Sequence, residues 1–564
     1  LAKKKPRTEA EKRRAHRTES YRAVIVAVAA AIVLRIFVLQ LFKIPSKSME
    51  PTLLGDPAHG DRVIAVKPWK RVQRWGIYVF KHYVRHEGRE VDYIKRFVGM
   101  PGDVVLIRGG DFHAGGDLEG GAAIERKPGA VQEDAWVRVY DGATVRNGRL
   151  FGKYWRERTP GAWRYDGEAA AGPTLRTDAR ASAEGARIEH RQPVTDQYIR
   201  AGHYPLVCPG CRGRVNAWLD TAHPFVRCDA CGEVFDAREP IGADGAVAAR
   251  DPLGRADGQP IYRFTCAYLD CRHTFRVHKH DLTRDATGAA QAACPACART
   301  FPITGGALHR RRKRLHARLG GVPLVASLLE PPKVPWRETV LIPGTGNAKR
   351  AEPVGDLRLS FEFVFEEGGT LAAELARHVK GEPAPQVFRL EMPLTEAASA
   401  VRLTGPAARR GERRLDLTAQ RTFVGGGGTH SLSFAYVDGA LLAEIDGEVL
   451  FEHVFSQVGA PVEAASAAVE ARCARVSIRR LALDRDLHYR AEVSADCAWL
   501  REETDRFGGT YLVGRLMEDE YMPLGDDSPR SSDARYWHKP VRAGKIVGRA
   551  VLLVWPLNRF RVLH

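Results

Sequence analysis

Two short segments hold residues whose types could carry hydrolytic chemistry. Ile44-Pro-Ser-Lys-Ser-Met-Glu-Pro-Thr-Leu53 places Ser48 beside a methionine and between two prolines, which predicts a stiff extended loop. A serine hydroxyl is a poor nucleophile until a base takes its proton. No Ser/His/Asp arrangement announces itself, so another base is needed. A lysine can serve when burial lowers its pKa toward neutrality. Tyr93-Ile-Lys-Arg-Phe-Val-Gly-Met-Pro-Gly-Asp103 offers Lys95, after a strand-like Val91-Asp-Tyr-Ile94 and before apolar Phe97-Val98. On composition alone, Lys95 reads equally well as an ordinary strand lysine.

The elements around these residues are mostly strands. Arg62-Val-Ile-Ala-Val66, Gly76-Ile-Tyr-Val-Phe80 and Asp103-Val-Val-Leu-Ile107 are short runs with frequent apolar–polar alternation, broken by Gly and Pro. Ahead of them, Ala23 to Phe42 is a run of twenty residues interrupted only by Arg35 and Gln40. As a helix it would span roughly 30 Å, the thickness of a bilayer core. Nine basic residues against three acids precede it. That asymmetry places the N-terminus in the cytoplasm and the rest of the chain outside. The run is longer than the apolar part of a signal peptide and lacks a small-x-small site, so an uncleaved anchor is expected. The net charge is +18 over 564 residues, but much of it is arginine scattered through the middle, and nucleic acid is not an expected partner.

Composition divides the rest. The expected segments are a basic tail (1–22), the transmembrane anchor (23–44), a first catalytic part (45–107), a Gly/Ala/Arg-rich β region (108–200), a cysteine-rich region (201–305), a basic linker (306–336), a β-sandwich (337–485) and a second catalytic part (486–564). Asp438-Gly439 and Asp446-Gly447 are hairpin signals within the sandwich. Its pattern looks like the concanavalin or laminin-G type, a spacer rather than a ligand-binding domain in the absence of an aromatic cluster or acidic loop. The strand-like patches of 130–200 could belong to it as well.

Four motifs in order behind the apolar run resemble the type I signal peptidase family: Pro45 to Leu53, Gly60-Asp-Arg-Val-Ile-Ala-Val-Lys67, Tyr93 to Asp103, and Gly525-Asp-Asp-Ser-Pro-Arg-Ser-Ser-Asp-Ala-Arg-Tyr-Trp537. The closing Ile546-Val-Gly-Arg-Ala550 matches too. The resemblance covers about a quarter of the chain. It implies a mainly β catalytic core, behind one transmembrane helix and split by a large insertion. It also implies a serine–lysine endopeptidase of the inner membrane that cuts signal peptides from exported precursors, with its catalytic domain on the outer side. Ser48 matches the nucleophile and Lys95 the general base. Ser46 matches the hydroxyl that assists the oxyanion, Ser531 the serine that orients the lysine amine, and Asp533 with Arg535 a structural ion pair. Lys47, Asp527 and Ala534 stand where the family commonly has Gly, Asn and Ser. Membrane lipid and precursor proteins are the expected partners, and no cofactor is expected for catalysis. Two other readings are a self-cleaving repressor-type Ser–Lys protease, which lacks a leading anchor, and a surface binding protein built on a dead protease.

The insertion carries cysteines in pairs. Cys208-x-x-Cys211 precedes Cys228-x-x-Cys231, and Cys266-x4-Cys271 precedes Cys294-x-x-Cys297. The spacing suits two zinc ribbons, each with four thiolates closing a structural site. Disulfides are the alternative in a region outside the cytoplasm. Strain in Cys-x-x-Cys bridges favours zinc. Cys473 and Cys497 are left over, as a pair or, by preference, as buried free thiols.

Overall fold

The computed structural model describes residues 39–564 except 57–59, 68–71, 85–87, 116–122, 144–150, 153, 159–160, 167–168, 170–171, 180–184, 192–193, 197–201, 208–213, 220–224, 229, 233, 237–260, 266–273, 279–282, 285–289, 294–299, 303–350, 407–413, 456–460 and 505–508. The described chain is mainly β and divides into two units, one of which comprises 202–219 and 223–350.

The larger unit contains the expected catalytic segments, and their strands interleave. One sheet runs in the order Leu39–Lys43, Arg62–Val66, Ile546–Trp555, Ile77–Val84, Arg89–Gly99, Glu520–Leu524, Val541–Arg542. The strand Ile546–Trp555 therefore sits between two strands from the start of the chain. A second sheet pairs Leu500–Thr504, Thr510–Arg515, Val104–Arg108, Asp111–Gly115 and Ala123–Ile124. The two-residue turn Gly109-Gly110 carries this sheet past Ile107. The core is aromatic: Trp75, Tyr78, Phe80, Phe97 and Phe112 pack with Leu512, Met522, Leu524 and Trp537. Burial of each such side chain contributes roughly 1.5–3 kcal/mol. Neither half of the chain could form this core alone.

The expected anchor falls mostly on residues 23–38, outside those described, as do the basic tail and the basic linker. Its last four residues correct the expectation: Leu39 to Phe42 belong to a strand paired with Arg62–Val66. An apolar run does not by itself separate helix from buried strand. Here Phe42 packs on the cluster of Ile44, Met49, Leu53 and Val63. Among the described residues no helix is long and apolar enough to cross a membrane.

The sandwich has two sheets, and strands from 137–190 enter both. Val137–Asp141 and Thr174–Asp178 pair with Arg475–Arg485, while Ala186–His190 pairs with Val462–Arg472. Alternate residues Leu357, Leu359, Phe361, Phe363 and Phe365 of one strand are buried, the period-two pattern of a strand with one face in a core. Cys473 corrects the preference for buried thiols. It is free and exposed at a positive φ of 50°, and Cys497 is free and half-buried.

In the smaller unit every cysteine pair falls between two paired strands. Gly202–Val207 pairs with Arg214–Leu219 around Cys208 and Cys211, and Phe225–Arg227 pairs with Val234–Asp236 around Cys228 and Cys231. Ile261–Thr265 pairs with Thr274–His278 around Cys266 and Cys271, and Ala290–Ala293 pairs with Thr300–Pro302 around Cys294 and Cys297. Apart from Cys228 and Cys231, these cysteines lie outside the described residues.

The Asp446-Gly447 turn joins Ala440–Ile445 to Glu448–Val454 with φ of 55° and 79°, the left-handed pair of a type I′ hairpin. A Cβ on Gly447 would meet nothing within 4 Å, so only its backbone conformation resists a side chain. Gly447→Ala should lower stability by about 1–2 kcal/mol, read as a fall in the denaturation midpoint with an unchanged circular dichroism spectrum.

Candidate active site

Ser48 lies on a single 3-10 turn, Lys47–Met49. Its position is set by the neighbours on both sides. Met49 is fully buried against Leu53, Val63 and Ile77, so it pins the loop from below. Leu53 N–H donates to Met49 O at 2.8 Å, and Asp527 N–H donates to the Ser48 carbonyl at 3.2 Å. The Ser48 loop is thus held by the segment that follows the insertion.

Lys95 comes from the buried half of the strand Arg89–Gly99 and is 1% exposed. Its amine donates to Ser48 Oγ. Burial pushes the Lys95 amine down to about 8, against the attraction of Asp533, Asp526 and Asp527, while Arg535 assists the lowering. A base near neutrality in contact with a serine hydroxyl is the arrangement that general-base activation requires. Ser48 is half-buried, and the exposed Ser46 places its hydroxyl 3.4 Å from Ser48 Oγ.

Asp533 and Arg535 are both fully buried and pair through two bonds of 2.9 and 2.8 Å. Burial alone would raise the Asp533 carboxyl. Arg535 outweighs burial and holds it below its ordinary value. Asp533 Oδ2 also accepts from Gly525 N–H at 3.0 Å.

Ser531 behaves differently from the expectation. Its hydroxyl is buried, but it makes no hydrogen bond among the described residues, so the expected bond to the Lys95 amine is not formed. The amine points at Ser48 instead. Ser531 nonetheless lies in the site. A Cβ on Gly525 would stand 2.1 Å from Ser531 Oγ and 2.5 Å from the Ser48 carbonyl oxygen. Only glycine permits that approach.

The largest feature without a sequence signal is the Arg96–Asp526 pair, both side chains fully buried. Arg96 grips Asp526 by Nε at 3.0 Å and Nη2 at 2.8 Å, and donates from Nη1 to Trp75 O at 2.8 Å. Thr52 Oγ1 donates to the same carboxylate at 2.5 Å. Three motifs, the serine loop, the lysine strand and the late Gly-Asp-Asp run, therefore converge on one carboxylate. Arg96 stands in the quoted motif beside Lys95, and Asp526 in the run after Gly525. Adjacency alone assigned neither a role.

Residues 17–152 match the family described as signal peptidase, peptidase S26, and so include Ser48 and Lys95 but not 525–537. A probable signal peptidase I-2 of Synechocystis sp. is 31% identical over 145 residues, which are 24% of this chain and 63% of that protein. Signal peptidase I of Bacillus licheniformis is 33% identical over 92 residues, 16% of this chain and 46% of that one. By these matches the first part of the chain is similar to signal peptidases. It spans less than two thirds of the length of either relative. Among solved structures, a carbohydrate binding module from Bacillus subtilis covers 24% of this chain and 80% of its own at 8% identity, with a TM-score of 0.17, from which no function follows.

Arg96→Met would leave Asp526 charged and buried without its partner. Loss of about 3–5 kcal/mol in chemical denaturation is expected, well above the change from a surface arginine such as Arg402.

Proposed function

We propose that this chain is a serine endopeptidase that removes signal peptides from exported precursors, with Ser48 as nucleophile and Lys95 as general base. The observation that carries this reading is the contact of the buried, neutral-leaning Lys95 amine with Ser48 Oγ. In the reaction, Lys95 takes the Ser48 proton as Oγ attacks the scissile carbonyl, then returns it to the leaving amine. Water attacks the acyl-enzyme in the second half, again with Lys95 as base. The Ser48 N–H and the Ser46 hydroxyl are the groups placed to meet the developing oxyanion.

The likeness to signal peptidases supports precursor proteins as substrates. The apolar residues 23–38 ahead of the first strand would hold the site at the membrane, and the outer face of the core sheet agrees with that. Leu41, Ile64, Leu552 and Val562 are direct cross-strand partners in turn, which places them in one apolar row on one face. Leu41 and Val562 are exposed, as are Trp555, Leu557 and Phe560 nearby in the chain. An exposed apolar patch of this kind suits an interfacial position. The four antiparallel strand pairs that flank the cysteine pairs in sequence support structural zinc in the smaller unit.

Ser48→Ala and Lys95→Ala should each abolish precursor cleavage while the protein stays folded. Cleavage by the parent should rise about tenfold per pH unit on the acid side of a midpoint near 8, where Lys95 loses its proton. An active Lys95→Ala protein would remove Lys95 as base.

Elemental analysis of the purified chain should find two zinc ions. A chelator should loosen the 202–302 segment to proteolysis and leave cleavage chemistry intact. Oxidised cysteines with no metal would replace zinc by disulfides.

A further inference from the structure

A chain of buried contacts leads from the root of the cysteine-rich segment to the general base. Residues 197–351 include the whole of the smaller unit, and the two segments of the larger unit that flank them are bonded to each other. Asp196 N–H donates to Glu352 O at 2.9 Å, Glu352 N–H to Asp196 Oδ1 at 3.0 Å, and Val354 N–H to Val194 O at 3.0 Å. The Asp196 carboxylate grips Arg490 through two bonds, Nε at 2.5 Å and Nη2 at 3.1 Å, with both side chains 1% exposed.

Arg490 reaches the catalytic machinery by its backbone. Its N–H donates to Ser528 Oγ at 2.9 Å, and its carbonyl accepts from Arg535 Nη1 at 3.0 Å. Ser528 Oγ accepts from the same Nη1 at 2.7 Å, and Ser528 O from Arg535 Nη2 at 2.9 Å. The rest of the Arg535 guanidinium holds Asp533. Every member of this path is buried.

We propose that Asp196 and Arg490 are positioning residues for the general base, so that the root of the 197–351 segment sets how firmly Arg535 neutralises the carboxylate facing Lys95. The proposal rests on the peptidase reading above. The groups facing Lys95 are Asp533, Asp526, Asp527 and Arg535, with Ser48 at its amine. Those facing the clamp are Glu352, Glu492 and His488. Arg490 Nη1 lies 3.1 Å from Glu492 Oε1, and His488 Nε2 lies 3.0 Å from Glu352 Oε2. Asp533 is the carboxylate that most opposes the lowering of Lys95, and Arg535 opposes Asp533. Loosening Arg535 leaves Asp533 less compensated, which favours the protonated amine. The direction follows: loss of the clamp raises the pH at which Lys95 becomes a base.

The test is the pH profile of precursor cleavage by the full chain carrying Asp196→Asn, with Asp196→Glu as the conservative control. In the Asn variant the acid-limb midpoint should move up by about half a unit, a loss of about threefold at pH 7 that shrinks above the midpoint. The Glu variant should return toward the parent. A folded Asn variant with an unmoved midpoint, or with the same loss at every pH, overturns the proposal. Arg490→Lys, which keeps the charge and removes the fork, repeats the test if the Asn variant does not fold. Failure of both to fold assigns the pair to stability alone and also overturns it. A parent that does not cleave, or a Ser48→Ala variant that does, sinks the peptidase reading, and the clamp falls with it. An active parent with an unmoved variant sinks the clamp only.

Discussion

Burial eases the Lys95 amine toward its neutral form although three carboxylates surround it, and much of the architecture of the larger unit bears on that balance. Desolvation supplies the lowering, which demands that Lys95 be covered on all sides. The cover comes from strands and loops on both sides of the insertion. The carboxylates do not reverse the effect because two of them are engaged elsewhere, Asp533 by Arg535 and Asp526 by Arg96. Each arginine is itself buried, so neither pair can be solvated as a substitute for its partner. Buried pairs of this sort give little net stability but are costly to break from one side. They act mainly to specify how the three motifs meet.

The candidate site was legible where it was compact in sequence. Ser48 between two prolines and Lys95 at the end of a strand each stood out within ten residues, and the order of motifs did the rest. The alternation of Leu357 to Phe365 and the Asp-Gly turns likewise announced strands by local pattern. What was not legible was pairing over long separations. Arg96 and Asp526 are 430 residues apart, and nothing in Lys-Arg or Asp-Asp says that one side chain of each is buried against the other. Asp196 and Arg490, 294 residues apart, belong to no motif. That the strands of 137–190 could belong to the sandwich was legible, but not their partners, which lie near its other end. Leu39 to Phe42 was absorbed into the apolar run ahead of it, since a buried strand and a membrane helix share composition at that length. Ser531 was expected to reach Lys95 through the motif it stands in. It stands against Gly525 instead, and the direction of the amine was not readable from a motif.

The sandwich is joined to the core by charge as well as by chain. Lys127 bonds both Asp438 and Asp486, which lie in the sandwich turn and in the segment that returns to the core. Asp111 and Asp356 stand close to Asp438, and burial raises both carboxyls. One lysine thus draws together the end of the first core segment and two points of the sandwich.

The placement of the strand Ile546–Trp555 and of Gly525 to Arg535 has a consequence in time. A ribosome adds roughly 5–20 residues per second. The 430 residues between Arg96 and Asp526 therefore delay the partner of that arginine by roughly 20–90 s. Until then the Ile77–Val84 and Arg62–Val66 strands lack the strand that lies between them. Lys95 would lack part of its cover over the same interval. On the proposed reading, Ser48 would stay inert toward its neighbours until residues 525–535 were made.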